Sequence, residues 1–135
     1  MKDQDPFVGT WKMRPERSNF DPKHNPSEGT MRFERESGGY VMRAKGVCEG
    51  RPVEEPPVRF VLDGKSHPVP GAPDIIALST LPDPKTILVE ARRGDQIVGQ
   101  ASYAVSADGA ALTATVSGID IQHRPFRTTV VWTRQ

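Results

Sequence analysis

The chain has one cysteine, Cys48, so no disulfide can form within it. A nucleophilic thiol would need a histidine partner, and none lies nearby in the sequence. Cys48 therefore reads as an idle or buried thiol. Three histidines are present, His24, His67 and His123. None has the spacing that sets two imidazoles on one face around a metal, so no metal site is expected. There is no Gly-x-Ser-x-Gly elbow, no phosphate loop and no dinucleotide fingerprint. Asn25-Pro26-Ser27 fails as a glycosylation site because proline follows the asparagine. No window is apolar enough to span a bilayer as a helix. The formal net charge is only +1, which argues against nucleic-acid binding, since that needs a clustered basic field. No repeat, low-complexity tract or internal boundary is visible.

What the chain does have is short, spaced, β-branched runs broken by turn residues. A hydrophobic share of 36% is low, but its placement is that of an ordered β protein. At 135 residues the expectation is one domain, 1–135, with residues 1–5 a flexible tail.

The stretch Pro6–Met13 reads as a first strand. Phe7, Gly9, Trp11 and Met13 share one face, and Val8, Thr10 and Lys12 the other. Residues 14–27 hold three prolines and read as a crossing loop with one helical turn near Pro15-Glu16-Arg17. Phe20 is expected to tuck beneath the barrel. Residues 30–36 and 40–47 alternate around a Ser37-Gly38-Gly39 turn, with Glu34 and Glu36 facing Arg43 and Lys45 on a wet face. Residues 48–57 read as an irregular edge or rim loop, because prolines do not sit in central strands. Strands are expected over 59–63, 75–81, 86–92, 96–105, 112–117 and 126–134, with 65–74 a proline-stiffened loop and 118–125 a turn or bulge. Arg93-Gly94-Asp95 is a hairpin turn first and an adhesion tripeptide only by coincidence. The whole predicts an all-β, up-and-down antiparallel barrel of about eight to ten strands.

Gly9-Thr10-Trp11-Lys12, Ser18-Asn19-Phe20 and Asp63-Gly64-Lys65-Ser66-His67-Pro68-Val69 resemble motifs of the calycin superfamily. The similarity is to a lipocalin-like family of small bacterial β-barrels of unassigned function. Fatty-acid-binding proteins place two helices after the first strand, and residues 14–27 are too short and proline-rich for that. The resemblance implies a barrel plug of Gly9, Trp11 and Arg134, with the Arg134 guanidinium over the Trp11 ring. The residues alone leave open a frayed Arg134 in solvent. It also allows a mature domain that begins just before Pro6, and so export to the periplasm or beyond, although Met1–Asp5 is too polar for a signal peptide. Nitrobindin-like barrels also open Gly-Thr-Trp and hold haem through a late histidine, with His123 the counterpart here. Their glycine-rich continuation is missing, so no cofactor is expected.

The resemblance leans toward a small apolar or amphipathic ligand held non-covalently inside the barrel. Tyr40, Met42, Phe60, Ala101, Tyr103, Leu112 and Phe126 are the candidate lining, with the Tyr40 and Tyr103 hydroxyls as polar contacts. Inward positions mix small residues with large ones, and alternation alone does not say whether the small ones leave a pocket. The alternative is a filled barrel that acts as an interaction module through its rim loops. An enzyme is the less favoured reading, since it would need groups such as His67 or Tyr103 to converge in one cleft.

Overall fold

A computed structural model describes residues 5–19, 26–54, 57–69, 72–119 and 122–135. It contains eleven strands: β1 Gly9–Met13, β2 Pro26–Glu36, β3 Gly39–Cys48, β4 Arg51–Glu54, β5 Val58–Val61, β6 His67–Val69, β7 Ala72–Asp83, β8 Thr86–Arg93, β9 Gln96–Val105, β10 Ala111–Ile119 and β11 Pro125–Arg134. Between β1 and β2, Pro15–Arg17 forms one 3-10 turn. Phe20 and His24 lie outside the described residues.

All eleven strands belong to one antiparallel sheet, in the order β4-β3-β2-β1-β11-β10-β9-β8-β7-β6, with β5 also paired to β3. Along that order each neighbour but one is the next strand in sequence, joined by a hairpin or short loop; β5 leaves it by skipping β4 to pair with β3. The exception is β1 against β11, which brings the two ends of the chain together. After β1 the 3-10 turn acts as a bulge, because Asn19 resumes pairing with Thr129 of β11. Ser18 fastens this bend. Its hydroxyl donates to the Arg14 carbonyl at 2.7 Å and accepts from the Val131 N–H at 2.9 Å.

Two short strands exceed the sequence expectation. β4 lies in the segment read as an edge or rim loop, and β6 lies in the segment read as a proline-stiffened loop. Both carry a proline, Pro52 and Pro68, and both sit at an edge of the sheet. A proline can stay there because its missing N–H would have faced outward. β10 and β11 also run further than expected, pairing as far as Ile119 with Pro125.

The sheet closes on itself by packing. One cluster joins Trp11 of β1, Met31 and Phe33 of β2, Tyr40 of β3, Phe60 of β5, Ile87 of β8, Val105 of β9, and Leu112 and Ala114 of β10. A flat sheet could not bring β1, β5 and β8 into one cluster. β5 also lies against β7 across the seam where the two edges face each other. This is a calycin-like barrel.

The core occupies one end. Phe7, Trp11, Phe33, Ile87 and Leu112 are fully buried there. Rings climb from it: Phe7 edge-on to Tyr40 at 5.3 Å, Phe33 stacked on Phe60 at 5.9 Å, and Phe60 edge-on to Tyr103 at 5.2 Å. The tight turns at Gly38, Pro84-Lys85 and Ala107–Ala110 lie at this closed end.

Candidate functional site

The closed end is built around Trp11. Its indole N–H donates to the Phe7 carbonyl at 3.0 Å, so the buried polar atom is satisfied. Arg134 of β11 pairs with Trp11 across the sheet, and its guanidinium carbon lies 4.2 Å from the indole centre. The same guanidinium donates to three carbonyls: Pro6 at 2.6 Å, Val8 at 2.8 Å and Gly109 at 3.0 Å. It therefore ties the amino-terminal segment and the β9–β10 turn to the last strand. Gly9 makes room for it. Its φ is +139°, and a Cβ there would stand 2.6 Å from Arg134 Nη1.

A second tie involves Asp5, which the sequence reading placed in a flexible tail. Asp5 accepts from the Phe7 N–H at 2.9 Å, the Tyr40 hydroxyl at 2.7 Å and Arg35 at 2.9 Å. These bonds fold the segment back and carry Phe7 into the core. Burial works to raise the Asp5 pKa, but bonds from Tyr40, the Phe7 N–H, Arg35 and the Val8 N–H outweigh it and lower it. Tyr40 goes the other way, up to about 12, through burial first and then its bond to the Asp5 carboxylate.

The open half has the opposite character. Register carries the inward parity of Trp11, Tyr40, Ile87 and Leu112 up each strand, to Ala44 and Gly46, Val89 and Ala91, Ala101 and Gly99, Val116 and Gly118, Val130 and Thr128. These are small or medium side chains. All are partly exposed, whereas the inward residues of the closed half are almost wholly buried. Small side chains around a closed sheet leave the upper interior unfilled. Two glycine pairs face each other across strands at this end, Gly29 with Gly46 and Gly99 with Gly118. At Gly46 a Cβ would collide with the Glu28 carbonyl, and at Gly118 it would come within 2.5 Å of the Val98 carbonyl. The Phe126 ring packs over Gly118, its cross-strand partner.

The predicted lining residues divide between these halves. Tyr40, Phe60 and Leu112 are in the closed-end core. The Tyr40 hydroxyl donates to Asp5 and accepts from Arg35. Met42 and Tyr103 pack on top of that core and form a floor. Ala101 and Phe126 belong to the open half. The Tyr103 hydroxyl has no partner among the described residues, and burial raises its pKa, so it stays a neutral donor. Trp132, absent from the predicted lining, shares the inward parity of Leu112 and Met13 and packs against the core. Its indole nitrogen is buried with no hydrogen-bond partner.

Grooves of 610 and 590 Å³ lie on the outer face. The first is lined by Thr10, Thr30, Arg32, Arg43 and Lys45, the second by Leu78, Leu88, Gln100, Ser102 and Thr115. His67 bonds to Asp63 at 3.0 Å, and His123 is exposed in the turn before β11. Among the described residues no cluster of three or more His, Cys, Asp or Glu could hold a metal ion. No described helix is long and apolar enough to cross a membrane.

No family model matches the sequence, and no curated protein matches it. Solved structures do resemble the fold. Zebrafish ileal bile acid-binding protein, complexed with cholic acid, aligns with a TM-score of 0.63 at 9% identity, over 96% of this chain and 99% of that one. A Schistosoma mansoni fatty acid binding protein in complex with arachidonic acid gives 0.61 at 12%, covering 96% of each. The extracellular fatty acid binding protein As-p18 gives 0.53 at 14%, covering 97% of each. Identities this low speak for the fold alone. The fold they share with this chain is a calycin-like, up-and-down antiparallel β-barrel.

Proposed function

We propose that the protein binds a small apolar or amphipathic molecule non-covalently in the open half of its barrel. The observation that carries this reading is the gradient inside the barrel. Large, wholly buried side chains pack the closed half, and small, partly exposed ones line the other. A filled barrel would bury both halves alike. The floor of Met42, Phe60 and Tyr103 is apolar and aromatic, and Ala101, Val89 and Val116 form walls that an acyl chain or flat ring system could cover. Such burial is worth roughly 25 cal/mol per Å² of apolar surface, enough to hold a lipid-sized molecule. That three lipid-binding proteins share the fold supports the same reading without assigning their ligands to this chain.

Displacement of a fluorescent acyl probe from delipidated protein tests it. Saturable binding is expected, and Ala101→Trp, which fills the space above the floor, should weaken it at least about tenfold with an unchanged melting temperature. Absence of saturable binding would leave the interaction-module reading in its place.

A further inference from the structure

The polar groups of the open half say which head group the ligand carries, provided that half binds a ligand at all. Between floor and rim, inward positions on β1–β3 and β8–β11 among the described residues are Met, Gly, Ala, Val, Phe, Thr, Cys and Trp. Two cations share the inward parity at the rim, Arg51 of β4 opposite Cys48 and Arg93 at the end of β8; both are exposed, and Arg93 is held by Asp74. Arg134 shares the inward parity, but three carbonyls and the Trp11 ring hold it at the closed end. Arg35 is likewise held by Asp5 at that end. His67, on β6 beside the seam, is turned to Asp63. An ionised carboxylate taken down beside Trp132 would lose its water and gain no cation from the described inward positions at that depth, a large penalty.

Neutral donors are present instead. Trp132 Nε1 is the one buried side-chain nitrogen or oxygen without a partner among the described residues. Such an orphan is costly and uncommon, and it calls for an acceptor. An indole N–H can only donate. The indole lies along the inner wall and reaches β2, its Cη2 atom 3.4 Å from where a Gly29 Cβ would stand. Met13 Sδ approaches the same point at 3.3 Å, so an unbranched, adaptable thioether flanks the ring and can swing aside. The unpartnered hydroxyl of Tyr103 is a second neutral donor at the floor.

We infer that the barrel takes a neutral amphipathic molecule, an ester, ketone or alcohol, whose uncharged oxygen accepts a hydrogen bond from Trp132. A free fatty acid is disfavoured, in contrast to the cholic acid and arachidonic acid held by the structural neighbours.

The test is nitrogen-15 NMR of the full delipidated chain titrated with methyl oleate, oleic acid at neutral pH, and a hydrocarbon of equal length. Amides of Gly99 and Ala101 report occupancy. The Trp132 indole N–H, assigned with Trp132→Phe, reports the hydrogen bond, and Trp11, already bonded to Phe7, is the internal reference. The ester should move both the amides and the Trp132 indole, the latter downfield toward the Trp11 position. The hydrocarbon should move the amides alone. The ester should bind at least about tenfold more tightly than the acid, and Trp132→Phe should weaken ester binding by about five- to tenfold while leaving the hydrocarbon unaffected. The wild-type comparison stands even if that variant folds poorly. Amides that respond while the Trp132 indole stays still, or an acid that outbinds the ester, would overturn the inference yet leave ligand binding intact. Amides that ignore all three compounds would remove both.

Discussion

Gly9 and Arg134 form one device, because the glycine's missing side chain is the space the guanidinium occupies. Gly9→Ala forces a Cβ into contact with Nη1 at a φ that L-residues rarely adopt. The expected loss is about 1–3 kcal/mol, with an altered near-ultraviolet signal from Trp11, read by urea denaturation and circular dichroism. Gly99→Ala is the contrasting case. Its Cβ would stand 3.7 Å from the nearest atom, so little change is expected, although its partner Gly118 has no such room. Phe7, Trp11 and Met13 were legible from alternation alone as one apolar face, and all three are buried. Asp5 was not legible as an anchor. Its partners Tyr40 and Arg35 are thirty or more residues away, and nothing in a short polar run announces them.

At the scale of elements, the amino-terminal segment and the β2–β3 hairpin are joined by the Asp5–Tyr40–Arg35 contacts. Their pH dependence has two sides. The folded pKa of Asp5 lies below its ordinary value, so its contribution is present above about pH 4 and is lost as pH falls through the lowered value. The Tyr40 pKa is raised to about 12, so its contribution is complete below the ordinary phenol value near 10 and is lost as pH rises toward about 12. Thermal melts across pH should therefore fall at both extremes. The alkaline fall should be shallower in Tyr40→Phe and the acid fall shallower in Asp5→Asn, each variant being less stable than the parent at neutral pH. The edge strands β4 and β6 show the limit of reading elements from sequence. Pro52 and Pro68 argued rightly against central strands, but proline has no way to distinguish an edge strand from a loop.

Across the whole molecule, stability is divided between two halves of one barrel. Amides of β1, β10 and β11 near Trp11 and Leu112 should exchange slowly, by opening close to global unfolding. Amides near Gly46, Gly99 and Gly118 should exchange through smaller openings, with rates that fall when ligand is bound. Hydrogen exchange with mass spectrometry checks this, and uniform protection in both halves would contradict the division. The same division explains the scatter of the predicted lining residues. Parity placed Tyr40, Phe60, Leu112, Ala101 and Phe126 on one inner surface. It does not say how far along the barrel axis each one lies.

Local sequence determined the alternation, the turns at Gly38, Gly94 and Gly109, the proline-free strands β8, β9 and β10 and the apolar face around Trp11. Those are properties of a backbone with a two-residue period and of residues that tolerate or forbid particular dihedrals. Closure, and everything that follows from it, was decided only in the tertiary structure. Strand tilt and register set which inward residues share a level, and so which end is packed with aromatics and which is left lined by alanine and glycine. They also brought Arg134 onto Trp11 across more than a hundred residues and left the Trp132 nitrogen buried without a partner. Such contacts depend on distances between strands that the order of residues along one strand does not contain.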